Sequence, residues 1–435
     1  NMNSSSAQNL LKELFAVAVK AASPDFMKFS NLFPNPPKGK VVVVGAGKAA
    51  ASMARSFEQA AKVLWPENEY QKISGLVITR YQHGLECEKI EVVEASHPVP
   101  DEAGEQAAQQ IIQRVSGLTE DDLVVCLISG GGSALLTVPA DGIGLDEKKD
   151  INKQLLSCGA SISEINCVRK HLSKIKGGRF AQFCSPARVV TFVISDVPGD
   201  DPSVIASGPT LPDETTCRDA LEIIKKYSIQ LPMRILNSLA NGELETPKKT
   251  NPIFSNVAKP VVMSTAKQSL EAAKDFAEKQ GINSVVLSDS IEGEAREVGR
   301  VLGAIALGLS NIDTKAFVKP LLLLSGGETT VIVKGDGRGG RNAEFLLSLT
   351  ESLHGDKRIY ALAADTDGID GSEDNAGAIA TPETIDLANR RGISIKDYMA
   401  RNDAYTYFQQ VDALIKTGPT RTNVNDFRAI LILES

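Results

Sequence analysis

Two glycine-rich segments in the first third of the chain follow apolar runs. The first is GAGKAA at residues 45–50, with the spacing G-x-G-x-x-A and Lys48 inside it, and the second is SGGGS at residues 129–133. Glycines between a strand and a helix let backbone N–H groups and the helix dipole face an anion. Both segments therefore predict phosphate or oxyanion binding. The simpler alternatives are a tight turn with a solvated Lys48 and, for the second segment, a flexible hinge.

Neither of the common nucleotide-binding motifs is complete around Lys48. A dinucleotide-binding fold would place an acidic residue at the end of the second strand, where this chain has Thr79 and Arg80. A Walker A loop would need glycine at Val42 and serine or threonine at Ala49. The segment therefore predicts an anion site but does not identify a nucleotide.

Cations are concentrated in NCVRKHLSKIKGG at residues 166–178. Because cations complement the C-terminus of a helix, Lys174 and Lys176 are interpreted as helix caps. Arg169 and Lys170 are expected to point into a cleft, whereas His171 is expected to be a packed or surface residue.

Asp196 lies just beyond the apolar run at residues 188–194. A carboxylate in that place can accept a hydroxyl proton or bind Mg²⁺. Asp200 and Asp201 follow a Pro-Gly pair and are interpreted as stabilising a turn. We therefore predict that Asp196 is the chemically active carboxylate of this segment.

Three further polar loops lie in the second half. Glu328 belongs to SGGET at residues 325–329, and Arg341 and Asn342 follow two glycines at a predicted helix start. A guanidinium there can clamp a phosphoryl or carboxylate group, the alternative being a solvated arginine beside a flexible loop. The acidic loop with Asp365 and Asp367 lacks the residue order of an EF-hand, and we interpret it as a turn or as an Mg²⁺ and hydroxyl contact.

These loops are expected at strand ends of an α/β fold. Short β-branched runs alternate with helical stretches, a pattern typical of parallel sheets with helices on both faces. Strands are predicted at residues 40–44, 75–78, 90–95, 123–128 and 188–194, and then at 260–263, 284–287, 320–324, 329–333, 359–364 and 427–433. The short connection at residues 325–328 predicts an antiparallel pair in the second sheet.

The polar, proline-containing stretch at residues 241–259 is interpreted as a linker. It predicts an N-terminal domain at residues 1–245 and a C-terminal domain at residues 258–435. We expect two three-layer α/β/α domains, the first with a mainly parallel, Rossmann-like sheet and the second with a mixed sheet.

Composition narrows the class of protein. The chain has 435 residues, of which 42% are hydrophobic and 23% charged, enough for a core in each of two domains. A net charge of −7 argues against nucleic-acid binding. Six dispersed cysteines without a CxxC pair favour a reducing compartment, and the sequence shows neither a signal peptide nor a membrane-length apolar run. We therefore expect a cytoplasmic protein without membrane or nucleic-acid partners.

Taken together, the motifs resemble the ordered set of the glycerate 2-kinases, the family whose second half is the MOFRL domain. They are GAGKAA, SGGGSALL, NCVRKHLSKIKGGRFA, ISDVPGDDPSVIASGPT, SGGETTV, GRGGRNAEF, DTDGIDG and TGPTRTNVND. The resemblance extends from about residue 7 to the C-terminus. It implies a kinase that uses ATP and Mg²⁺ to transfer the γ-phosphoryl group to D-glycerate, giving 2-phosphoglycerate, in a cleft between two α/β domains.

The same resemblance implies roles for individual residues. The catalytic roles fall to Lys48, Asp196 and Arg341, with Asp196 also as metal ligand. Nucleotide or phosphate binding is implied for Gly45, Gly47, Ser129, Gly130, Gly131, Gly132 and Ser133. Substrate or cleft contacts are implied for Arg169, Lys170, Glu328, Asn342, Asp365 and Asp367. Phosphoryl transfer needs cations around a dispersed negative charge, which Lys48 and Arg341 would supply.

Two positions depart from the family pattern. Ala343 stands where the family usually has glutamine, and Arg421 stands where it usually has glycine. We expect the first departure to remove a polar contact and the second to add a cation. Oligomeric state stays open between a monomer and a homodimer.

Two other functions fit parts of the sequence. An NAD(P)-dependent hydroxypyruvate reductase is favoured by G-x-G-x-x-A and by Arg80, which could face a 2′-phosphate. It leaves the loops of the second half unexplained, and no histidine with a carboxylate partner is evident near a substrate site. A non-catalytic sensor of phosphorylated acids would use the same loops without turnover.

Overall fold

The computed structural model describes residues 2–435, apart from the side chain of Ser30. The chain forms two compact units, one of Pro24–Met263 and one that combines the chain up to Ser23 with Ser264–Ser435. The helices are α1 Ser4–Ala22, α2 Phe26–Ser30, α3 Ala50–Leu64, α4 Glu67–Tyr70, α5 Glu102–Val115, α6 Gly132–Leu135, α7 Leu145–Ser157, α8 Ile162–His171, α9 Arg179–Cys184, α10 Cys217–Lys226, α11 Met233–Ala240, α12 Ala266–Glu278, α13 Ala295–Ser310, α14 Arg341–Leu353, α15 Thr384–Arg390, α16 Ile395–Ala400 and α17 Ala404–Gln410.

The Pro24–Met263 unit contains a six-stranded sheet in the order β3-β2-β1-β4-β5-β6. Its strands are β1 Val41–Ala46, β2 Ile73–Arg80, β3 Ile90–Ala95, β4 Leu123–Ile128, β5 Arg188–Ile194 and β6 Val261–Ser264. Neighbours from β3 to β5 pair in parallel. Every residue of β1 and β4 is buried, as expected for central strands covered on both faces. The predicted α/β fold with a mainly parallel first sheet is therefore confirmed.

The strand predicted at residues 260–263 was assigned to the wrong sheet. It forms β6 at the edge of the first sheet, not the start of the second. The chain reaches this edge alongside β5, because the Ala258 N–H donates to the Val189 carbonyl at 2.9 Å. The last residues of the predicted linker at 241–259 thus already pair with β5 of the first sheet.

The second unit contains a mixed six-stranded sheet in the order β11-β10-β9-β12-β8-β7. Its strands are β7 Asn283–Glu294, β8 Leu321–Thr330, β9 Ile359–Asp365, β10 Gly377–Ala380, β11 Leu414–Ile415 and β12 Asp426–Ile432. β7 and β8 pair in parallel, and the other neighbours are antiparallel. The mixed sheet was predicted, whereas β10 and β11 were not.

The antiparallel pair predicted around residues 325–328 is wrong, because these residues lie inside the continuous strand β8. Gly327 has φ 128°, and a Cβ there would lie 2.2 Å from the Ile291 carbonyl oxygen. Gly327 therefore allows β7 to approach β8 closely, and the glycine pair does not reverse the chain.

Helix α1 packs in the second unit, although the predicted first domain included it. Its apolar stripe is buried, and the rings of Phe15 and Phe427 lie 5.8 Å apart. Ser269 Oγ donates to the Ala18 carbonyl at 2.6 Å. The unit is thus completed by a helix from the opposite end of the chain.

The described residues include no helix long and apolar enough to cross a membrane. All six cysteines are unpaired thiols.

Candidate active site

Three loops of the Pro24–Met263 unit meet at one edge of the first sheet. Strands β1, β4 and β5 are parallel neighbours, so the segments that leave their carboxyl ends lie side by side. The Lys48 N–H donates to the Gly130 carbonyl at 2.8 Å, and the Ala49 N–H donates to Ser129 Oγ at 3.0 Å. Asp196 follows β5, two residues beyond its end. The structure thus places Lys48, the 129–133 loop and Asp196 along the same edge.

The loop at residues 45–50 uses its backbone donors internally. The N–H groups of Gly47 and Ala50 donate to the carbonyls of Ile78 and Gly47, in addition to the bonds made by Lys48 and Ala49. Gly45 lies within β1, and a Cβ on Gly47 would lie 2.0 Å from Ser129 Oγ. These glycines therefore allow two loops to pack together, and the half-buried Lys48 side chain is what this loop offers an anion.

The 129–133 loop, unlike the loop at residues 45–50, keeps backbone N–H groups available for a ligand. The N–H groups of Gly130, Gly131 and Ser133 have no hydrogen-bond acceptor among the described residues. A Cβ on Gly131 would lie 3.0 Å from His97 Cδ2 and 3.4 Å from Lys48 Cγ. Backbone donors, the Lys48 stem and the His97 ring thus surround one short turn. His97 was not singled out in the sequence, since an isolated histidine carries no motif.

The interpretation of Lys174 and Lys176 as helix caps is wrong. α8 ends at His171, and its last carbonyls accept hydrogen bonds from Arg179, whose Nη1 lies 3.2 Å from both the Lys170 and His171 oxygens. Lys174 reaches Asp141 at the surface. Lys176 is only 2% exposed, and its Nζ donates to Ser133 O at 2.6 Å and to Ser133 Oγ at 3.1 Å. The Lys176 side chain therefore packs against the 129–133 loop and does not cap a helix.

Two more cations lie behind this loop. Lys148 of α7 is 1% exposed, with Nζ 3.5 Å from the Arg169 carbonyl, and the half-buried Arg169 donates from Nε to Asn152 at 3.3 Å. Burial, together with repulsion by Arg169 and Arg179, lowers the pKa of Lys148 to about 7. Burial and the charges of Lys148 and Arg169 also lower the pKa of Lys176 well below its ordinary value. Lys170, the other predicted cleft cation, is buried next to Gly177.

Lys148→Met is expected to stabilise the protein. The folded-state pKa of Lys148, about 7, lies below its ordinary 10.5, so between these values unfolding takes up a proton and stability rises with pH. At pH 7 and below, the wild type carries the full penalty, on the order of 5 kcal/mol, or a Tm lower by about 10 °C. Thermal denaturation of the variant from pH 6 to pH 10 measures this effect.

The exposed Lys153 on the same helix provides the control, since Lys153→Met should leave Tm nearly unchanged. The Tm gain of Lys148→Met should shrink as pH rises. A gain independent of pH, or a loss at pH 7, would contradict the assignment of a strained buried ammonium.

In the second unit, Arg341 begins α14 and binds three carboxylates. Its Nε donates to Asp426 at 2.7 Å, Nη2 to Asp365 at 2.9 Å and Nη1 to Glu328 at 3.3 Å. Burial lowers the pKa of Arg341, but the Asp426, Asp365 and Glu328 charges outweigh this and raise it well above its ordinary value. The alternative of a solvated arginine is thus excluded. Ion pairs connect Arg341 to Glu328, Asp365 and Asp426 in one cluster. Asp426 lies within a quoted motif but was not selected.

Asn342 and the acidic loop complete this cluster. Asp370 accepts from the N–H groups of Asn342 and Ala343, each at 2.9 Å, and so caps α14. Burial raises the pKa of Asp370 to about 6. Asp367 is fully buried and accepts from the Ile369 N–H, so much of the acidic loop is a structural turn.

The two departures from the family pattern have clear local settings. Ala343 is fully buried in the apolar core of its unit, where no water would satisfy a longer polar side chain. Arg421 has φ 63°, in the left-handed region that favours the family's glycine. Its Nη1 lies 3.4 Å from the Pro419 carbonyl oxygen.

Comparison with known proteins agrees with this architecture. Residues 10–240 match the model described as "Domain of unknown function (DUF4147)", and residues 321–426 match the MOFRL family. The chain is 39% identical to a D-glycerate 2-kinase of Thermotoga maritima over 98% of this chain and 99% of that protein. It is 48% identical to an Agrobacterium vitis protein that carries the name "Putative hydroxypyruvate reductase", over 99% and 95% of the two chains.

A solved structure extends the likeness to three dimensions. The crystal structure of glycerate kinase from Thermotoga maritima matches with a TM-score of 0.86 at 38% identity, and the match covers 99% of this chain and 100% of that chain. Both halves of the chain and nearly its whole length are therefore accounted for by one set of relatives. The chain belongs to the glycerate kinase family, in which a DUF4147 region is followed by a MOFRL region.

Proposed function

We propose that this protein is a glycerate 2-kinase that uses ATP and Mg²⁺ to phosphorylate D-glycerate, giving 2-phosphoglycerate. One observation carries the proposal: a lysine, a loop with unused N–H donors and a carboxylate lie along one edge of the first sheet. Phosphoryl transfer requires a cation, a phosphate cradle and a group that orients the acceptor hydroxyl or the metal. The relative named D-glycerate 2-kinase supports glycerate as acceptor.

The donor set at this edge fits a magnesium nucleotide. Mg²⁺ is usually held by one or two carboxylates together with substrate phosphates, and the half-buried Asp196 offers such a carboxylate. The N–H groups of Gly130, Gly131 and Ser133 are suited to phosphate oxygens. When bound, the ion would neutralise phosphate charge, and Asp196 would hold it or accept the proton of the attacking hydroxyl.

The cations have separate tasks in this proposal. The ammonium group of Lys48 offsets charge on the transferred phosphoryl group. Arg341 has donors left on both terminal nitrogens after its three carboxylate bonds and acts as a second cation. Glu328 and Asp365 fix the position of Arg341, and Asn342 and Asp367 are proposed to contact the substrate. We place the reaction in the cytoplasm, where the six unpaired cysteines stay reduced.

The name of the Agrobacterium vitis relative favours a hydroxypyruvate reductase as the second candidate. A dinucleotide site needs loop N–H groups for the pyrophosphate and an acidic residue after the second strand. Here four successive N–H groups of the loop at residues 45–50 are already bonded, and β2 ends at Arg80. The geometry therefore favours the kinase.

A coupled ADP-release assay with ATP, Mg²⁺ and D-glycerate tests the proposal directly. We expect ADP release that depends on glycerate, and a ³¹P NMR signal of the product that identifies the 2-phosphate ester. A parallel assay follows NAD(P)H oxidation with hydroxypyruvate. Oxidation without ADP release would replace the kinase by the reductase, and binding without either reaction would favour a sensor.

Lys48→Ala is expected to lower kcat for glycerate phosphorylation by about 100-fold, since it removes one charge-stabilising group. The KM for D-glycerate should change little if Lys48 acts on the transferred group. Lys62→Ala on α3, whose side chain is 49% exposed, is the matched control and should retain full activity. Equal rates of the wild type and Lys48→Ala would remove Lys48 from the mechanism.

A further inference from the structure

The Pro24–Met263 unit contains three neighbouring cationic side chains, two buried and one half-buried, without a protein counter-charge among the described residues. They are Lys148, Arg169 and Lys176, which we call the buried cation cluster. No carboxylate of the described residues lies within ion-pair distance of any of the three. A buried charge is costly unless it is paired. Burial therefore favours the neutral forms of Lys148 and Lys176, and an anion beside them would restore their charged forms.

The cluster adjoins the 129–133 loop through direct contacts. Lys176 Nζ binds both oxygens of Ser133, and Ser133 Oγ lies 3.3 Å from Ser207 Oγ. Ser207 Oγ in turn donates to Asn166 Oδ1 at 3.4 Å. Cations, hydroxyl groups and the unused loop N–H groups thus occupy one continuous region, with the half-buried Arg169 as its more exposed cation.

The number of charges indicates the class of ligand. A single carboxylate would balance one cation and leave two unmatched. A chain of phosphates carries several negative charges and many acceptor oxygens, so it matches both the cations and the neighbouring N–H groups. Burial first, and repulsion within the cluster second, lower the pKa values of Lys148 and Lys176, and such an anion would favour their charged forms against both effects.

We propose that the buried cation cluster, with Lys176 at its centre, binds the polyphosphate chain of the nucleotide beside the 129–133 loop. Only the identity of the nucleotide rests on the proposed kinase function. Lys176 binds phosphate oxygens, and Lys148 and Arg169 supply the charge behind them. Lys174, two residues away, has no part in this site.

Tripolyphosphate without metal is the probe, and isothermal titration calorimetry of the full chain is the measurement. We expect Lys176→Met to weaken tripolyphosphate binding by about 10- to 100-fold, the loss of one charge-assisted contact. D-Glycerate binding should stay within about 2-fold, a difference too small to represent a lost contact. Lys174→Met, at a side chain 39% exposed and paired with Asp141, is the matched control and should bind both ligands normally.

Three results would overturn the proposal: no tripolyphosphate binding by the wild type, normal binding by Lys176→Met, or weakened binding of D-glycerate alone, which would indicate a carboxylate site. If Lys176→Met does not fold, Lys148→Met serves instead, because it is expected to be more stable than the wild type and still weaker in binding. Tripolyphosphate binding needs neither glycerate nor turnover. An inactive chain that binds it in this pattern refutes only the kinase, and an active kinase whose variants bind normally refutes only the phosphate site.

Discussion

Asp196→Asn is expected to reduce kcat for glycerate phosphorylation by about 1,000-fold or more, because the amide neither accepts a proton nor carries a charge for Mg²⁺. The substitution preserves shape, and Asp196 is only half-buried at the end of β5, so Tm should change little. Steady-state kinetics with separate variation of D-glycerate and Mg²⁺ measures the effect.

The kinetic pattern distinguishes the two roles of Asp196. If Asp196 accepts the hydroxyl proton, kcat falls while the apparent Mg²⁺ requirement stays the same. If it anchors the metal, the Mg²⁺ concentration for half-maximal rate rises as well. Asp201→Asn is the control, since the Asp201 side chain is exposed and, among the described residues, accepts only from the Ser203 N–H at 2.9 Å. A fully active Asp196→Asn would remove this carboxylate from the reaction.

The local pattern of apolar residues predicted the strands that position the site. β1, β4 and β5 are short apolar runs ended by glycine or a polar residue, and helices on both faces of a parallel sheet require that composition. The strand predictions thus placed Lys48, Ser129 and Asp196 just beyond strand ends, whereas the strand order that makes β1, β4 and β5 neighbours is a finding of the structure.

Long-range pairing could not be predicted in the same way. Gly326 and Gly327 have the composition of a turn, yet they lie in β8. Gly327 accommodates the β7 backbone at Ile291, and no local sequence pattern records that approach. β6 likewise joins the first sheet through contacts with β5 that its own residues do not specify. The place of α1 in the second unit depends on partners such as Phe427, hundreds of positions away.

The cations show why composition alone misassigns a site. Lys174 and Lys176 are the same residue type, two positions apart, and the cap interpretation treated them alike. Their difference arises because α8 ends at His171, after which a chain of turns and bends points one lysine to the surface and the other towards Ser133. Helix length by itself decides which lysine is buried, and the sequence does not fix that length to within the residues that matter.

Arg341→Ala is expected to destabilise the protein by about 3–5 kcal/mol, because buried Asp365 and Asp426 both lose a guanidinium partner and Asp426 retains only Arg428 as an ion pair. Asp426 and Asp365 are 0% and 4% exposed in their side chains, so water cannot replace the guanidinium. Arg338→Ala is the matched control on the same loop, because the Arg338 side chain is 53% exposed and pairs only with Glu373 among the carboxylates. Thermal denaturation of both variants at pH 7 measures the difference.

A second substitution separates the structural role of Arg341 from its catalytic one. Asp365→Asn in the Arg341→Ala background removes one buried charge that has lost the Arg341 guanidinium, so Tm should recover in part. If Arg341 also stabilises the transferred phosphoryl group, glycerate-dependent ADP release stays low in the double variant relative to Asp365→Asn alone, since the cation is still missing. Recovery of activity together with Tm would show instead that Arg341 only holds the acidic cluster in place.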